Sequence, residues 1–183
     1  MGKEMEKEYN FNGELIFEGE YMNGKRNGKC KEYYNDKLIF EGEYLNGERN
    51  GKGKEYNYNG KLIFEGEYLK GERWDGIEIK YSLYGELMFK GIILNGKRNG
   101  KGKEYKDGAL EFEGEYLNGE RNGKGKEYSK DGNLIFEGEY LYGKRWNGKG
   151  KEYGFYDELI FDGEYLNGKR NEKEKEKNFQ NLA

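Results

Sequence analysis

The stretch that decides the fold is FEGEYLNGERNGKGKEY, residues 40–56, which returns unchanged at residues 112–128. Asn46 and Gly47 stand at its centre, between two segments in which residue types alternate. Asn-Gly in this setting is the strongest short-range signal for a β-hairpin, because a tight type I′ turn needs two residues at positive φ. The stretch therefore predicts two antiparallel strands joined by a two-residue turn.

Pairing outward from this turn predicts which residues share a face of the ribbon. The pairs expected on one face are Tyr44 with Arg49, Gly42 with Gly51, and Phe40 with Gly53. The pairs expected on the other face are Glu43 with Asn50, Glu41 with Lys52, and Ile39 with Lys54. One face would then carry aromatic rings over glycines. The other would carry Glu against Lys, each cross-strand pair contributing roughly 0.2–1 kcal/mol.

Variants of this stretch fill the chain. Seven units open at Phe17, Phe40, Phe64, Phe89, Phe112, Phe136 and Phe161. The third and sixth units carry one extra residue, at Trp74 and Trp146, which we expect to form a β-bulge. We predict an all-β fold, an elongated single-layer twisted antiparallel sheet of about seven consecutive hairpins. The predicted domains are a partial N-terminal repeat and cap at 1–14, the repeat array at 15–170, and a degenerate charged C-terminal cap or tail at 171–183.

The composition agrees with a folded chain that has little interior. Only 33% of the 183 residues are hydrophobic and 38% are charged, but 16% are aromatic, whereas disordered chains are poor in aromatic residues. Because a single layer has no second layer to cover it, each unit is expected to be stabilised by packing on its neighbours.

The same composition argues against several functions. The net charge of −3 gives no bias towards nucleic acid, and a chain without histidine lacks the usual general base and the usual zinc ligand. The glycines match no phosphate-binding loop. We therefore predict no catalytic residues, no cofactor and no metal, so the protein is not expected to be an enzyme. No apolar run reaches membrane-spanning length and the start lacks a signal-peptide core, which favours the cytoplasm.

The recurring pattern F-E-G-E-Y-x-N-G-x-R-N-G-x-G-x-x-Y resembles the MORN (membrane occupation and recognition nexus) repeat over about residues 7 to 177. The matching positions are clearest at Phe40, Gly42, Tyr44, Asn46, Gly47, Gly51 and Gly53, and at the identical positions from Phe112 to Gly125. Asn50 and Asn122 stand where the family usually has histidine. Cys30 and Glu78 replace a repeat glycine, and Ile93 replaces an aromatic residue.

The resemblance implies hairpin arrays that act as non-catalytic scaffolds or adaptors, binding a partner protein or themselves, with some members associated with phospholipid membranes. We therefore predict a scaffold that takes a helix or an extended peptide in an aromatic groove. Peripheral binding to anionic phospholipid is the alternative, and the protein would then work at membrane or cytoskeletal surfaces. Nucleic acid is not an expected partner, because Glu48 and Glu120 accompany the repeated arginines.

The predicted groove residues are Tyr44, Tyr68, Tyr116, Tyr140, Trp74, Trp146, Arg49, Arg73, Arg121 and Arg145. Each type has a structural alternative. The tyrosines could form the core that holds the units together. The arginines could stack on aromatic rings rather than meet acidic partners or lipid phosphates. The tryptophans could fill space beside a bulge rather than anchor a partner.

Overall fold

A computed structural model of the chain describes residue 2 and residues 4–171. The predicted C-terminal cap or tail, from residue 172 on, lies outside the described residues. The first eight strands are β1 (Glu4–Tyr9), β2 (Leu15–Met22), β3 (Lys25–Tyr34), β4 (Lys37–Leu45), β5 (Glu48–Tyr56), β6 (Leu62–Leu69), β7 (Glu72–Tyr81) and β8 (Leu87–Leu94). The other seven are β9 (Lys97–Lys106), β10 (Ala109–Leu117), β11 (Glu120–Tyr128), β12 (Leu134–Leu141), β13 (Lys144–Tyr153), β14 (Leu159–Leu166) and β15 (Lys169–Arg170).

The strands follow chain order in one open antiparallel sheet, and the described residues contain no helix. This confirms the all-β prediction. The chain divides into two compact units. The first holds the residues through Gly85 together with Lys90–Lys97, and the second holds Glu86–Phe89 together with the residues from Arg98 on.

Two-residue turns join the hairpin strands, as the Asn-Gly signal predicts. Asn46 has a φ of 54° and Gly47 a φ of 95°, the left-handed region that a type I′ turn requires. Lys70 and Tyr142 occupy the same turn position at φ 50° and 49°. Side chains that rarely adopt this region are held there by the pairing of the strands on either side.

The predicted register is correct next to the turn and wrong beyond it. Tyr44 lies opposite Arg49, as expected, but Gly42 then pairs with Gly53 instead of Gly51. The remaining predicted pairs are displaced in the same way, so that Phe40 faces Glu55 and Glu41 faces Lys54.

The displacement arises at Asn50 and Gly51. Gly51 has a φ of 92°, which the simple ladder assumed in the prediction does not include. The Glu43 carboxylate fills this irregularity and accepts a hydrogen bond from the Lys52 amide at 3.2 Å. Because the shift is two residues, each side chain stays on its predicted face.

The tryptophan hairpins contain the predicted bulge, with one extra residue on the second strand. Tyr68 faces Arg73 and Glu67 faces Asp75, which leaves Trp74 as one extra residue on β7. Trp146 is the extra residue in the same place on β13, between Arg145 and Asn147.

The core is a single row of rings in each of the two compact units. The buried apolar residues of the first unit are Phe17, Tyr21, Cys30, Phe40, Tyr44, Phe64, Tyr68 and Ile93. Those of the second unit are Phe89, Phe112, Tyr116, Phe136, Tyr140, Phe161 and Tyr165. The phenylalanines lie against bare backbone. A Cβ added to Gly53 would lie 2.7 Å from Phe40 Cε2, closer than any real contact allows.

Candidate functional site

The aromatic face of each unit is a continuous ladder of edge-to-face rings. The Tyr44 ring lies 5.6 Å from Phe17, in the preceding hairpin, and 6.2 Å from Phe40 in its own. Tyr68 repeats the arrangement at 5.2 Å from Phe40 and 5.1 Å from Phe64. Such pairs contribute about 0.5–1.5 kcal/mol beyond their buried area. The ladder therefore joins each hairpin to the next.

A triad of glutamate, tyrosine and arginine side chains covers this ladder. Glu32 on β3 accepts a hydrogen bond from the Tyr44 hydroxyl at 2.7 Å and another from Arg49 Nε at 2.8 Å. The Arg49 guanidinium lies over the Phe40 ring, 4.1 Å from its centroid. One glutamate thus holds a tyrosine and an arginine of the following hairpin, while the arginine covers a core ring.

The triad recurs in both units. Its members are Glu8, Tyr21 and Arg26, and Glu55, Tyr68 and Arg73, in the first unit. In the second unit they are Glu104, Tyr116 and Arg121, and Glu152, Tyr165 and Arg170. Arg145 binds Glu127 at 2.8 Å, but the buried hydroxyl of Tyr140 has no hydrogen-bond partner among the described residues.

The triad contacts hold Tyr44 and Glu55 in their ordinary charge states. Burial raises the pKa of Tyr44 to about 12, and the bond to Glu32 adds to the shift. Burial works to raise the pKa of the Glu55 carboxyl, but the hydrogen bonds from Arg73 and Tyr68 outweigh it and lower that pKa. These groups therefore neither take up nor release a proton near neutral pH, as a general acid or base would have to.

The turns of successive hairpins are also joined. The Gly47 amide donates to the Arg26 carbonyl at 2.9 Å, and the Gly71 amide donates to the Arg49 carbonyl at 2.9 Å. In the tryptophan hairpins the acceptor moves one residue along, so that Gly96 donates to the Trp74 carbonyl at 2.8 Å. From Gly47 on, each hairpin turn is thus tied to the strand that follows the preceding hairpin turn.

A concave surface of the first unit lies mainly on the opposite, charged face. Leu45 and Leu69 line it together with Trp74, and they leave 48% and 39% of their area exposed. Backbone of the Gly28 and Gly51 regions forms part of its floor, and Tyr44 and Tyr68 border it. Its charged lining residues are Glu20, Lys29, Glu43 and Glu67. An apolar strip with an acidic surround therefore faces outward here.

The rest of the charged face is a ladder of ion pairs. Lys54 Nζ lies 3.3 Å from Glu65, and Lys126 Nζ lies 3.1 Å from Glu137. Tyr56 donates to Glu41 at 2.7 Å. These charges satisfy one another at a solvated surface, where each pair contributes little to stability.

The predicted groove residues fall into two groups. Tyr44, Tyr68, Tyr116 and Tyr140 are buried in the ring ladder, and Arg49, Arg73, Arg121 and Arg145 stack on the phenylalanines of their own hairpins. These eight therefore have internal contacts, and binding of a partner through them stays a prediction.

The two tryptophans lie elsewhere. Trp74 is half-buried at the concave surface. Trp146 packs against the next turn, where a Cβ on Gly168 would lie 3.3 Å from its Cε3.

Leu45 and Leu69 were not among the residues that the sequence pattern predicted for the groove. The sequence nevertheless contains a signal for them. In every one of the seven repeats an apolar residue follows the second aromatic position, and alternation assigns that residue to the charged face. These residues are Met22, Leu45, Leu69, Leu94, Leu117, Leu141 and Leu166.

Other chemistry finds no support in the part of the chain that the structure describes. No cluster of acidic or cysteine side chains there could hold a metal ion. Burial raises the pKa of the Cys30 thiol to about 12, so it is not a thiolate at neutral pH. The described residues include no helix that is long and apolar enough to cross a bilayer.

Comparison with known families matches the hairpins. The family model described as MORN repeat matches residues 17–38, 40–61, 89–109 and 112–134. The hairpins that contain Trp74 and Trp146 lie outside these ranges. No curated protein matches the chain.

Proposed function

We propose that this chain, a MORN-repeat protein, is a non-catalytic scaffold or adaptor in the cytoplasm that binds a partner protein. MORN repeats generally serve as interaction modules and are generally non-enzymatic. The observation that carries the proposal is the concave surface of Leu45, Leu69 and Trp74. Contiguous apolar side chains with a polar surround are typical of surfaces that bind other proteins.

The charges around this surface indicate the chemistry of the partner. Three glutamates and one lysine line it, so a basic flank would be complementary. The partner is a helix or an extended segment that places large apolar side chains against the leucines and Lys or Arg near Glu43 and Glu67.

The leucines would contribute most by burial. Complete burial of an exposed leucine contributes about 1.5–3 kcal/mol, and a half-exposed one would contribute roughly half as much. The loss of one such contact therefore lowers affinity about 4- to 13-fold.

The buried tyrosines and arginines have a supporting role in this proposal. The Glu32–Tyr44–Arg49 triad fixes the strand that presents Leu45, because Tyr44 and Leu45 are neighbours on β4. Contacts of the aromatic face with a partner are a smaller part of the proposal, since 3–7% of Tyr44, Tyr68, Tyr116 and Tyr140 is exposed.

Selection from a random peptide library displayed on phage tests the proposal. The intact protein should enrich peptides with large apolar residues flanked by Lys or Arg. The variant Leu45→Ser with Leu117→Ser changes the same position in both copies of the repeated stretch, where each leucine is 48% exposed. It should bind the enriched peptides about tenfold or more weakly.

The matched control is Phe155→Ser with Tyr156→Ser, which removes two side chains that are 92% and 85% exposed away from the concave surface. This variant should bind as the unchanged protein does. Equal binding by the leucine variant, or loss of binding in the control alone, contradicts the proposal. If the protein instead associates with itself, light scattering should show an apparent mass that rises with protein concentration.

A second candidate, binding to phospholipid, is favoured by the exposed aromatic residues of the connectors. Phe11, Tyr84, Phe155 and Tyr156 are almost fully exposed, and aromatic side chains are favoured at membrane interfaces. Flotation with anionic liposomes at physiological salt tests it. Co-flotation that is lost in the Phe155→Ser, Tyr156→Ser variant would support lipid binding over protein binding.

A further inference from the structure

One of the five Asn-Gly turns at the hairpin tips differs from the other four in the hydrogen bonding of its glycine amide. These turns are Asn23-Gly24, Asn46-Gly47, Asn95-Gly96, Asn118-Gly119 and Asn167-Gly168. In four of them the glycine amide donates to a carbonyl of the preceding hairpin: Gly47 to Arg26, Gly96 to Trp74, Gly119 to Arg98 and Gly168 to Trp146, at 2.8–2.9 Å. Gly24 makes no such bond within the described part of the chain.

The cause is the position of Gly24 in the sheet. The acceptor for each later turn is the residue two places before the one that pairs with the second aromatic: Arg26 precedes Gly28, which pairs with Tyr44. Tyr21 pairs with Glu4, so the corresponding residue is Gly2. Gly2 is among the described residues, and it accepts no hydrogen bond from the Gly24 amide.

The chemistry of an Asn-Gly pair makes this difference consequential. The glycine nitrogen can attack Cγ of the asparagine, forming an N–C bond while the Cγ–N bond breaks. Ammonia leaves with the proton of the glycine amide. Water then opens the cyclic imide at either carbonyl, which gives aspartate or isoaspartate. The reaction needs only water and no cofactor.

A donated hydrogen bond opposes the attack. The attacking nitrogen must lose its proton and reorient, so an amide held by a carbonyl reacts only after that bond opens. Asn23 and Gly24 are both exposed and adopt φ values of 54° and 72°, as in the other turns. The Asn95 and Asn167 amides also donate to a side chain of the preceding hairpin, at 2.8 and 2.9 Å. The glycine bond is the one that all four other turns have and that the Asn23-Gly24 turn lacks.

We propose that, among the five Asn-Gly hairpin turns, Asn23 is the preferred site of spontaneous deamidation and isoaspartate formation in the folded protein. The inference concerns the turns alone and does not depend on the proposed function. Isoaspartate lengthens the main chain by one methylene, which a two-residue turn cannot accept. Among the hairpins that have an Asn-Gly turn, β2–β3 would therefore loosen first as the protein ages.

Peptide mapping by mass spectrometry tests the proposal. The intact folded protein is incubated in mildly alkaline buffer and then digested. Peptides must extend beyond residues 40–56 and 112–128 so that the identical segments can be distinguished. Asn23 should convert at least about fivefold faster than each of the other four hairpin-turn asparagines, the factor that corresponds to one net hydrogen bond of about 1 kcal/mol.

Two controls make the result decisive. In denaturant, where no turn keeps its hydrogen bond, the five hairpin-turn Asn-Gly pairs should react at similar rates. Asn23→Gln should remove the fast conversion at the β2–β3 turn and leave the rates at the other four hairpin turns unchanged. Equal rates at all five sites in the folded protein, or a fivefold lead for Asn23 that persists in denaturant, would overturn the proposal.

Discussion

At the scale of single residues, the chain uses charge to hold a core that has only one layer of rings. Glu32 binds Tyr44 and Arg49 together, and the arginine covers Phe40 from outside. Hydrogen bonds to a charged group contribute about 1.5–3 kcal/mol, more than neutral ones. The triad therefore supplies part of the stability that a second layer would otherwise provide.

Tyr44→Phe tests the triad directly. The substitution keeps the ring and removes the hydroxyl bound to Glu32, so we expect the free energy of unfolding to fall by about 1–2 kcal/mol in denaturant titration. Tyr84→Phe is the control, because that side chain is 92% exposed and its loss should change stability little. An unchanged unfolding midpoint for Tyr44→Phe would contradict the claim that the triad stabilises the fold.

The tyrosines also predict how stability depends on pH. The pKa of Tyr33, Tyr44, Tyr56 and Tyr128 is raised from 10.0 to about 12, with burial as the main cause. Because the folded pKa is above the unfolded one, this stability is complete below pH 10 and is lost as pH rises towards 12. Titration of phenolate absorbance should show these groups ionising later in the folded protein than in denaturant. Coincident titration curves would contradict the prediction.

At the scale of the hairpin, glycine determines how closely the rings approach the backbone. A Cβ at Gly53 would lie 2.7 Å from Phe40 Cε2 and 3.1 Å from Tyr68 Cε2. Gly53→Ala should therefore force two core rings to shift and lower the free energy of unfolding by about 1–3 kcal/mol. Lys52→Ala, at the neighbouring exposed position, is the control in the same denaturant titration. A Gly53→Ala protein as stable as this control would mean that the rings have room to spare.

The sequence predicts this hairpin well near its turn and poorly further out. Asn46-Gly47 predicts the turn and the pairing of Tyr44 with Arg49, because both depend on local geometry. Beyond them a ladder without irregularities is the simplest assumption, and Gly51 at φ 92° breaks it. Nothing local distinguishes this glycine from those that only make room for rings.

The triads were not predicted because their members come from different hairpins. Glu32 and Arg49 are separated by 17 residues, and no alternation pattern joins them. Leu45 and Leu69 were overlooked for another reason. A leucine on a charged face fits either a covered or an uncovered surface, and only the structure gives its exposure.

At the scale of the whole molecule, the hairpins form an array in which each one stabilises its neighbours. In each unit the ring contacts run between one hairpin and the next, and each triad joins adjacent hairpins. In such arrays, stability is approximately a sum of repeat terms and nearest-neighbour terms. Damage to one hairpin should then stay local.

Hydrogen exchange of the intact Gly53→Ala protein, followed by mass spectrometry, tests this central claim most directly. The account predicts faster exchange in β4, β5 and β6 and unchanged protection in β10 and β11, which contain the second copy of the same seventeen residues. Peptides that extend beyond each copy report the two separately. An equal increase in exchange along the whole chain would instead show one cooperative core and contradict the account.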